Sequence, residues 1–240
     1  MYARELFRMT FPLAADRLRG RGIRKMLDGL STKEQLRDYL RQHPQPRFSF
    51  YEERTGRKRH EFISLIDHLG IDLAGKRHLD IGPAYGETLD ISMQERGAAS
   101  ADFIELDDFF YTWNRLKGYG LGHRGNYLRV VPRLERAAYD TIYVRGLPQV
   151  ETIWPLRKSW VGFVRIDRWV DTLVGLAAPG GTIMLSPNWR SNGQVRTATP
   201  DWASHPFCAM LGERGFVVLP FLEGHNREPE NPVTFVLQRA

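Results

Sequence analysis

The residues best placed to do chemistry are two acids and two glycines. Asp80 lies in the apolar run His78-Leu79-Asp80-Ile81, which leads straight into Gly82-Pro83-Ala84-Tyr85-Gly86-Glu87. Glycines let a backbone turn sharply and approach a ligand closely. A helix opening at such a turn offers unpaired N–H groups and the positive end of its dipole. The second acid, Glu105, follows Asp80 by 25 residues, in Ala101-Asp102-Phe103-Ile104-Glu105-Leu106. That is the spacing of one strand–helix unit, and a carboxylate at the end of the next strand can accept from both hydroxyls of a ribose. A pyrophosphate seat is not part of the pattern. The dinucleotide fingerprint needs Gly-x-Gly-x-x-Gly, whereas residues 82–87 read Gly-Pro-Ala-Tyr-Gly-Glu. Asp107 and Asp108 read as the N-cap region of a following helix.

Elements of alternating type must position these groups. The pattern predicts strands at His78–Ile81, Ala101–Leu106 and Tyr139–Val144. It predicts helices at Glu61–Leu69, Glu87–Arg96, Asp108–Lys117 and Ile166–Leu176. Pro179-Gly180-Gly181 then turns into a strand at Thr182–Leu185. A helix at Phe207–Arg214 precedes two late strands, Phe216–Leu222 and Val233–Gln238, with no room for a helix between them. Alternation ending in a hairpin predicts a mostly parallel sheet with an antiparallel C-terminal strand. No clear third strand is visible between the helix after Glu105 and Tyr139.

Upstream, residues 5–42 read as helical. Ser31-Thr32-Lys33-Glu34 suggests a capping box with Ser31 as N-cap, and Pro44 and Pro46 stop the helix it opens. An aromatic cluster of Phe48, Phe50 and Tyr51 precedes Arg57-Lys58-Arg59. Residues 1–60 carry 15 Lys/Arg and 7 Asp/Glu, a net of +8, while the remainder carries 19 and 21, a net of −2. The division expected is a helical, basic segment over 1–59, acting as lid or homodimer contact, and a near-neutral domain over 60–240.

The composition, 42% hydrophobic and 12% aromatic, supports a folded core. No apolar run approaches the roughly 18 residues of a membrane span, and arginines interrupt the N-terminal apolar patches. Cys208 is the single cysteine, so an internal disulfide or a cysteine-built zinc site is excluded. A cytoplasmic location is expected. No His/Asp/Glu cluster has metal-ligand spacing, and no nucleophile elbow is present.

At these residues the chain resembles the class I S-adenosylmethionine-dependent methyltransferases. The resemblance rests on His78 to Gly86, on Phe103-Ile104-Glu105, on Tyr139 to Gly146 as a fourth strand, and on Leu176 to Leu185 as a helix-turn-strand unit. It covers about residues 60–240 and implies a Rossmann-like, seven-stranded α/β sheet. It further implies S-adenosyl-L-methionine as cofactor. Asp80 and the backbones of Gly82 and Gly86 would hold its methionine end, Pro83 and Tyr85 would line the loop, and Glu105 would hold the ribose. Asn126 is the nearest match to the acid that meets the adenine amino group in the family. Arg145, after the fourth strand, would face cofactor or acceptor, and Trp189, after the fifth, would wall an acceptor pocket. His205 and His225 are the candidate bases; His123 and His60 are weaker ones. Residues 145–149 read Arg-Gly-Leu-Pro-Gln and lack the Asp/Asn-Pro-Pro-aromatic signature of amino-directed nucleic-acid enzymes. The activity implied is O- or N-methylation of a small molecule such as a sugar or secondary metabolite. The alternatives are methylation of RNA or another polyanion, drawn by the basic segment, and a non-catalytic protein using the fold for binding.

Overall fold

The computed structural model describes residues 22–44, 55–148, 166–188, 206–219 and 234–240. Seven strands form one sheet: β1 (Arg77–Ile81), β2 (Ser100–Glu105), β3 (Gly122–Arg124), β4 (Tyr139–Pro148), β5 (Ala177–Asn188), β6 (Val217–Leu219) and β7 (Thr234–Gln238). Their order is β3-β2-β1-β4-β5-β7-β6. The pairs from β3 to β5 are parallel, and β7 runs antiparallel to both β5 and β6. The chain order therefore reverses between β1 and β4, and an open α/β sheet places its ligand at the carboxyl ends of the strands around such a point.

The helices are α1 (residues 22–28), α2 (Lys33–Gln42), α3 (Thr55–His68), α4 (Glu87–Asp90), α5 (Asp108–Arg115), α6 (Tyr127–Val130), α7 (Ile166–Leu176) and α8 (Pro206–Gly212). They cover both faces of the sheet, so the central strands alternate between two cores. Ile142 and Val144 of β4, Ile183 and Leu185 of β5, and Phe235 and Leu237 of β7 join Trp169, Leu173, Met210 and Leu211 on one face. Tyr143, Met184 and Val236 turn the other way, onto Phe62, Leu65 and Ile66 of α3. Strands buried on both sides read as near-continuous apolar runs, which is why they are legible in sequence.

Four local features differ from the sequence expectation. A third strand exists, but it is only Gly122-His123-Arg124 at the sheet edge. Glycine opens it because a Cβ at 122 would come 2.5 Å from the Phe103 ring. The helix expected over Glu87–Arg96 makes one α turn and then a π turn over Ile91–Glu95. The capping box is shifted by one residue: Thr32 is the N-cap and Gln35 its partner. The Gln35 side chain accepts from the N–H groups of both Ser31 and Thr32, at 2.8 and 3.2 Å, so a single amide satisfies two donors. The Pro179-Gly180-Gly181 turn is a bulge, with Tyr139 opposite Ala177 and Thr141 already opposite Thr182.

His78, on β1, is completely buried with its ring 5.6 Å from that of Phe62. Neither ring nitrogen makes a well-formed hydrogen bond. Burial pushes its pKa down to about 3 from 6.5, and a loose contact to the Thr141 backbone offsets only part of this. The folded state thus binds fewer protons than the unfolded one between those values. This stabilising contribution is present above pH 6.5 and is lost as pH falls toward 3. Urea unfolding is expected to show His78→Leu losing less stability than the native chain between neutral pH and about pH 4, by up to about 3 kcal/mol. Equal losses in both proteins would contradict this assignment.

Candidate cofactor site

The loop between β1 and α4 is held in three left-handed residues, Gly82 (φ 81°), Ala84 (φ 52°) and Gly86 (φ 69°). Ala84 is the unusual one, since a Cβ in this region costs about 1–2 kcal/mol. Both of its backbone polar groups are fixed. Its N–H donates to Glu105 Oε2 at 3.2 Å, and its carbonyl accepts from Asn114 Nδ2 at 2.7 Å. The glycine at 86 is required twice over. Besides its positive φ, a Cβ there would overlap Asn114 Oδ1.

Glu105 ends β2 with 8% exposure. Its Oε1 accepts from the N–H groups of Leu106 and Asp107, at 2.8 and 3.0 Å, while Oε2 takes the Ala84 N–H. Burial pushes its pKa up to about 7 from 4.5; the three N–H donors oppose that rise and are outweighed. Oε2 has a lone pair left for a further donor. The next residue, Leu106, is 64% exposed, an apolar surface directly beside the carboxylate. Asp107 caps α5, accepting from Phe109 and Phe110 N–H groups at 2.9 and 3.2 Å, as the sequence indicated.

Asp80 is fully buried beneath the loop and accepts from the hydroxyl of Thr88, the second residue of α4. It ties the end of β1 to the start of the helix. Pro83 is buried, and its carbonyl accepts from Gly86 N–H at 2.9 Å. Tyr85 packs edge-on against Phe110 and Trp113, at centroid distances of 5.2 and 5.7 Å. Asn126 follows β3 on the surface, and its Oδ1 caps α6 by accepting from Leu128 N–H at 2.9 Å. The backbone of Arg145 lies in β4 opposite Ser186, at a register shift; its side chain is outside the described residues. Trp189, His205 and His225 also lie outside them. His123 is in β3, and His60 is exposed on α3; neither takes part in the loop's hydrogen bonds.

The described part of the N-terminal segment packs onto α5 and the loop. Arg24 donates to both oxygens of Asp108 at 2.9 Å. Arg124 pairs with Asp28 at 2.5 Å and approaches Asp108 at 3.5 Å. Arg115 reaches the Leu27 and Leu30 carbonyls at the end of α1, at 3.2 and 2.8 Å. On α2, Lys33 and Arg37 lie over Trp113, and Leu40 packs against the cluster of Ala84, Tyr85 and Phe110.

Sequence reasoning missed Leu106 and three residues near the end of α5: Trp113, Asn114 and Lys117. Leu106 was readable, since it directly follows the ribose acid. The other three carry no signal of their own, because polar residues at a helix end ordinarily face water.

This sheet order, with the glycine loop after the first strand and the acid after the second, is the fold of the class I S-adenosylmethionine-dependent methyltransferases. Among solved structures the chain is similar to an S-adenosylmethionine-dependent methyltransferase from Archaeoglobus fulgidus. The identity is 12% over 79% of this chain and 97% of that one, with a TM-score of 0.51. It is also similar to the magnesium protoporphyrin IX methyltransferase of Synechocystis, solved with bound S-adenosylmethionine (16% identity, 77% and 80% coverage, TM-score 0.48). A third similar structure is described as a candidate sarcosine dimethylglycine methyltransferase from Galdieria sulphuraria (14% identity, 68% of this chain, TM-score 0.48). The chain spans 60% of that protein's length. The likeness to the Archaeoglobus structure establishes the fold alone. No protein-family model matches the chain, and no curated protein does. Among the described residues, no helix is long and apolar enough to cross a membrane.

Proposed function

We propose that the protein is an S-adenosyl-L-methionine-dependent methyltransferase acting on a small molecule. The observation that carries this reading is the bond between Ala84 N–H and Glu105 Oε2. It brings the glycine loop of β1 and the acid of β2 to one point at the carboxyl edge, beside the place where the chain order reverses. The residues fit the cofactor's parts. Glu105 would accept from a ribose hydroxyl through the remaining lone pair of Oε2, the exposed Leu106 side chain would cover an adenine face, and the backbone of Gly82 to Gly86 would receive the methionine end. Asp80 braces that loop from below through Thr88. Asn126, two residues after β3, remains the candidate for the adenine amino group; meeting it would require Oδ1 to share or give up its cap to Leu128. When bound, the cofactor supplies a methyl already activated on a sulfonium. The chain's task is then alignment, which in favourable cases corresponds to effective molarities of about 10⁵ to 10⁸ M. Arg145, Trp189, His205 and His225 remain the candidates for acceptor binding and for a base, should the acceptor be a hydroxyl.

The small-molecule reading is preferred over a polyanion because described cations of the basic segment are engaged within the chain. Arg24 and Arg41 pair with Asp108 and Asp38, and Lys33 and Arg37 lie over Trp113. This supports a docked strap over the loop. The test is incubation with methyl-labelled S-adenosylmethionine and a cell extract separated into low-molecular-weight, RNA and protein fractions. Label is expected in the low-molecular-weight fraction. Label confined to RNA, with transfer falling steeply as salt rises, would replace this reading with the polyanion one. Cofactor binding without transfer to any fraction would favour the non-catalytic alternative.

A further inference from the structure

We infer that Lys117 is a positioning residue of the cofactor loop, acting with Asn114 and Trp113 as a clamp on the loop's carbonyl groups. This inference rests on the cofactor reading above. The Lys117 ammonium is 2% exposed. Its Nζ donates to Tyr85 O at 2.7 Å, Gly86 O at 2.9 Å and Asp90 Oδ2 at 2.7 Å. An ammonium has three protons, and all three have an acceptor here. A lysine at a helix end can normally keep its charge in water, so burying it requires close matching of this kind. Burial pulls its pKa down, and Asp90 opposes that shift.

What the clamp achieves follows from peptide geometry. Asn114 Nδ2 holds Ala84 O at 2.7 Å, Trp113 Nε1 holds Tyr85 O at 3.1 Å beside Lys117, and Lys117 holds Gly86 O. Three consecutive carbonyls of the loop thus point at α5. In a trans peptide the C=O and the following N–H point in opposite directions. The N–H groups of Tyr85 and Glu87 are therefore turned away from α5, while that of Gly86 closes the turn onto Pro83 O. By fixing these carbonyls the clamp sets which way the loop's peptide planes face, and with them the surface the loop offers a carboxylate-bearing ligand. Asp90 counters the ammonium charge from the side of α4, so the lysine also fastens that helix to α5.

The test compares the native chain with Lys117→Met, which keeps the length and removes every donor. Two measurements are made: S-adenosylmethionine affinity by calorimetry well below the melting temperature, and amide hydrogen exchange over residues 84–90 without ligand. The variant is expected to raise the dissociation constant by about tenfold, the equivalent of one lost hydrogen bond, and to speed exchange in that window. Unchanged affinity overturns the inference, even if melting is lowered or exchange is faster, because a purely structural lysine would do that much. Should the methionine variant fail to fold, Trp113→Phe removes a second donor to Tyr85 O and is read the same way. No binding by the native chain would instead defeat the cofactor reading itself, which separates the two failures.

Discussion

Glu105→Ala is expected to weaken S-adenosylmethionine binding sharply, and methyl transfer with it, while leaving a folded protein. The cofactor would lose the charge-assisted ribose bond that the remaining lone pair of Oε2 can accept, which contributes about 1.5–3 kcal/mol, so affinity should fall by at least about 10- to 10²-fold, and the Ala84 N–H would lose its anchor as well. The fold should survive because β2 is held between β1 and β3 by its backbone pairing. A pH signature makes the prediction sharper. With its pKa raised to about 7, Glu105 is largely protonated in the free protein below neutrality. Ribose hydroxyls favour the ionised acid, so binding must expel that proton. Cofactor affinity should weaken by about tenfold per pH unit below about 7 and level off above it. The same raised pKa has the opposite effect on the empty protein. The contribution of Glu105 to stability is present below pH 4.5 and is lost as pH rises through about 7. Glu105→Gln should remove both dependences. Calorimetric titrations across this range in the native and Gln proteins check the point, and parallel profiles would contradict it.

The second large effect is expected at Gly86. In Gly86→Val the new side chain meets Asn114 Oδ1 at once, and the left-handed φ of 69° is strained for any residue with a Cβ. The backbone conformation alone costs about 1–2 kcal/mol. The overlap adds more, because Asn114 is buried and fixed by its bonds to Ala84 O and Phe110 O. The loop must swing away from α5, breaking the grip of Lys117 and Asn114. Melting should fall by several degrees, and cofactor binding should be lost. Gly86→Val together with Asn114→Ala relieves the overlap but not the backbone strain, so it should recover only part of the stability. Full recovery of binding in that double variant would show that loop geometry is not what matters.

The parts legible in sequence were those whose burial is set locally. β1, β2, β4 and β5 are apolar runs covered on both faces, and the glycine loop and Glu105 fall at strand ends where chain chemistry changes abruptly. The unread parts depend on distant partners. Gly122-His123-Arg124 has no apolar run because it is an edge strand of three residues, and glycine is needed there only because the Phe103 ring lies against it. Lys117 and Asn114 read as the polar end of a helix; only the carbonyls of residues 84–86 turn them inward. The one-residue shift of the capping box follows from the Gln35 side chain, which reaches the N–H groups of both Ser31 and Thr32. For Arg145, Trp189, His205 and His225, acceptor roles rest on chain position alone, so the cofactor site is argued from geometry and the acceptor site from order.

Joint binding of S-adenosylmethionine by the loop over residues 82–86 and Glu105 is the proposal on which the other expectations rest. Calorimetric titration of the native protein, Glu105→Ala and Gly86→Val with S-adenosylmethionine at about pH 8, above the Glu105 transition, decides it. Saturable binding to the native chain, competed by S-adenosylhomocysteine, weakened about tenfold or more in Glu105→Ala and lost in Gly86→Val, is the predicted result. No binding to the native chain, or undiminished binding in both folded variants, would contradict it.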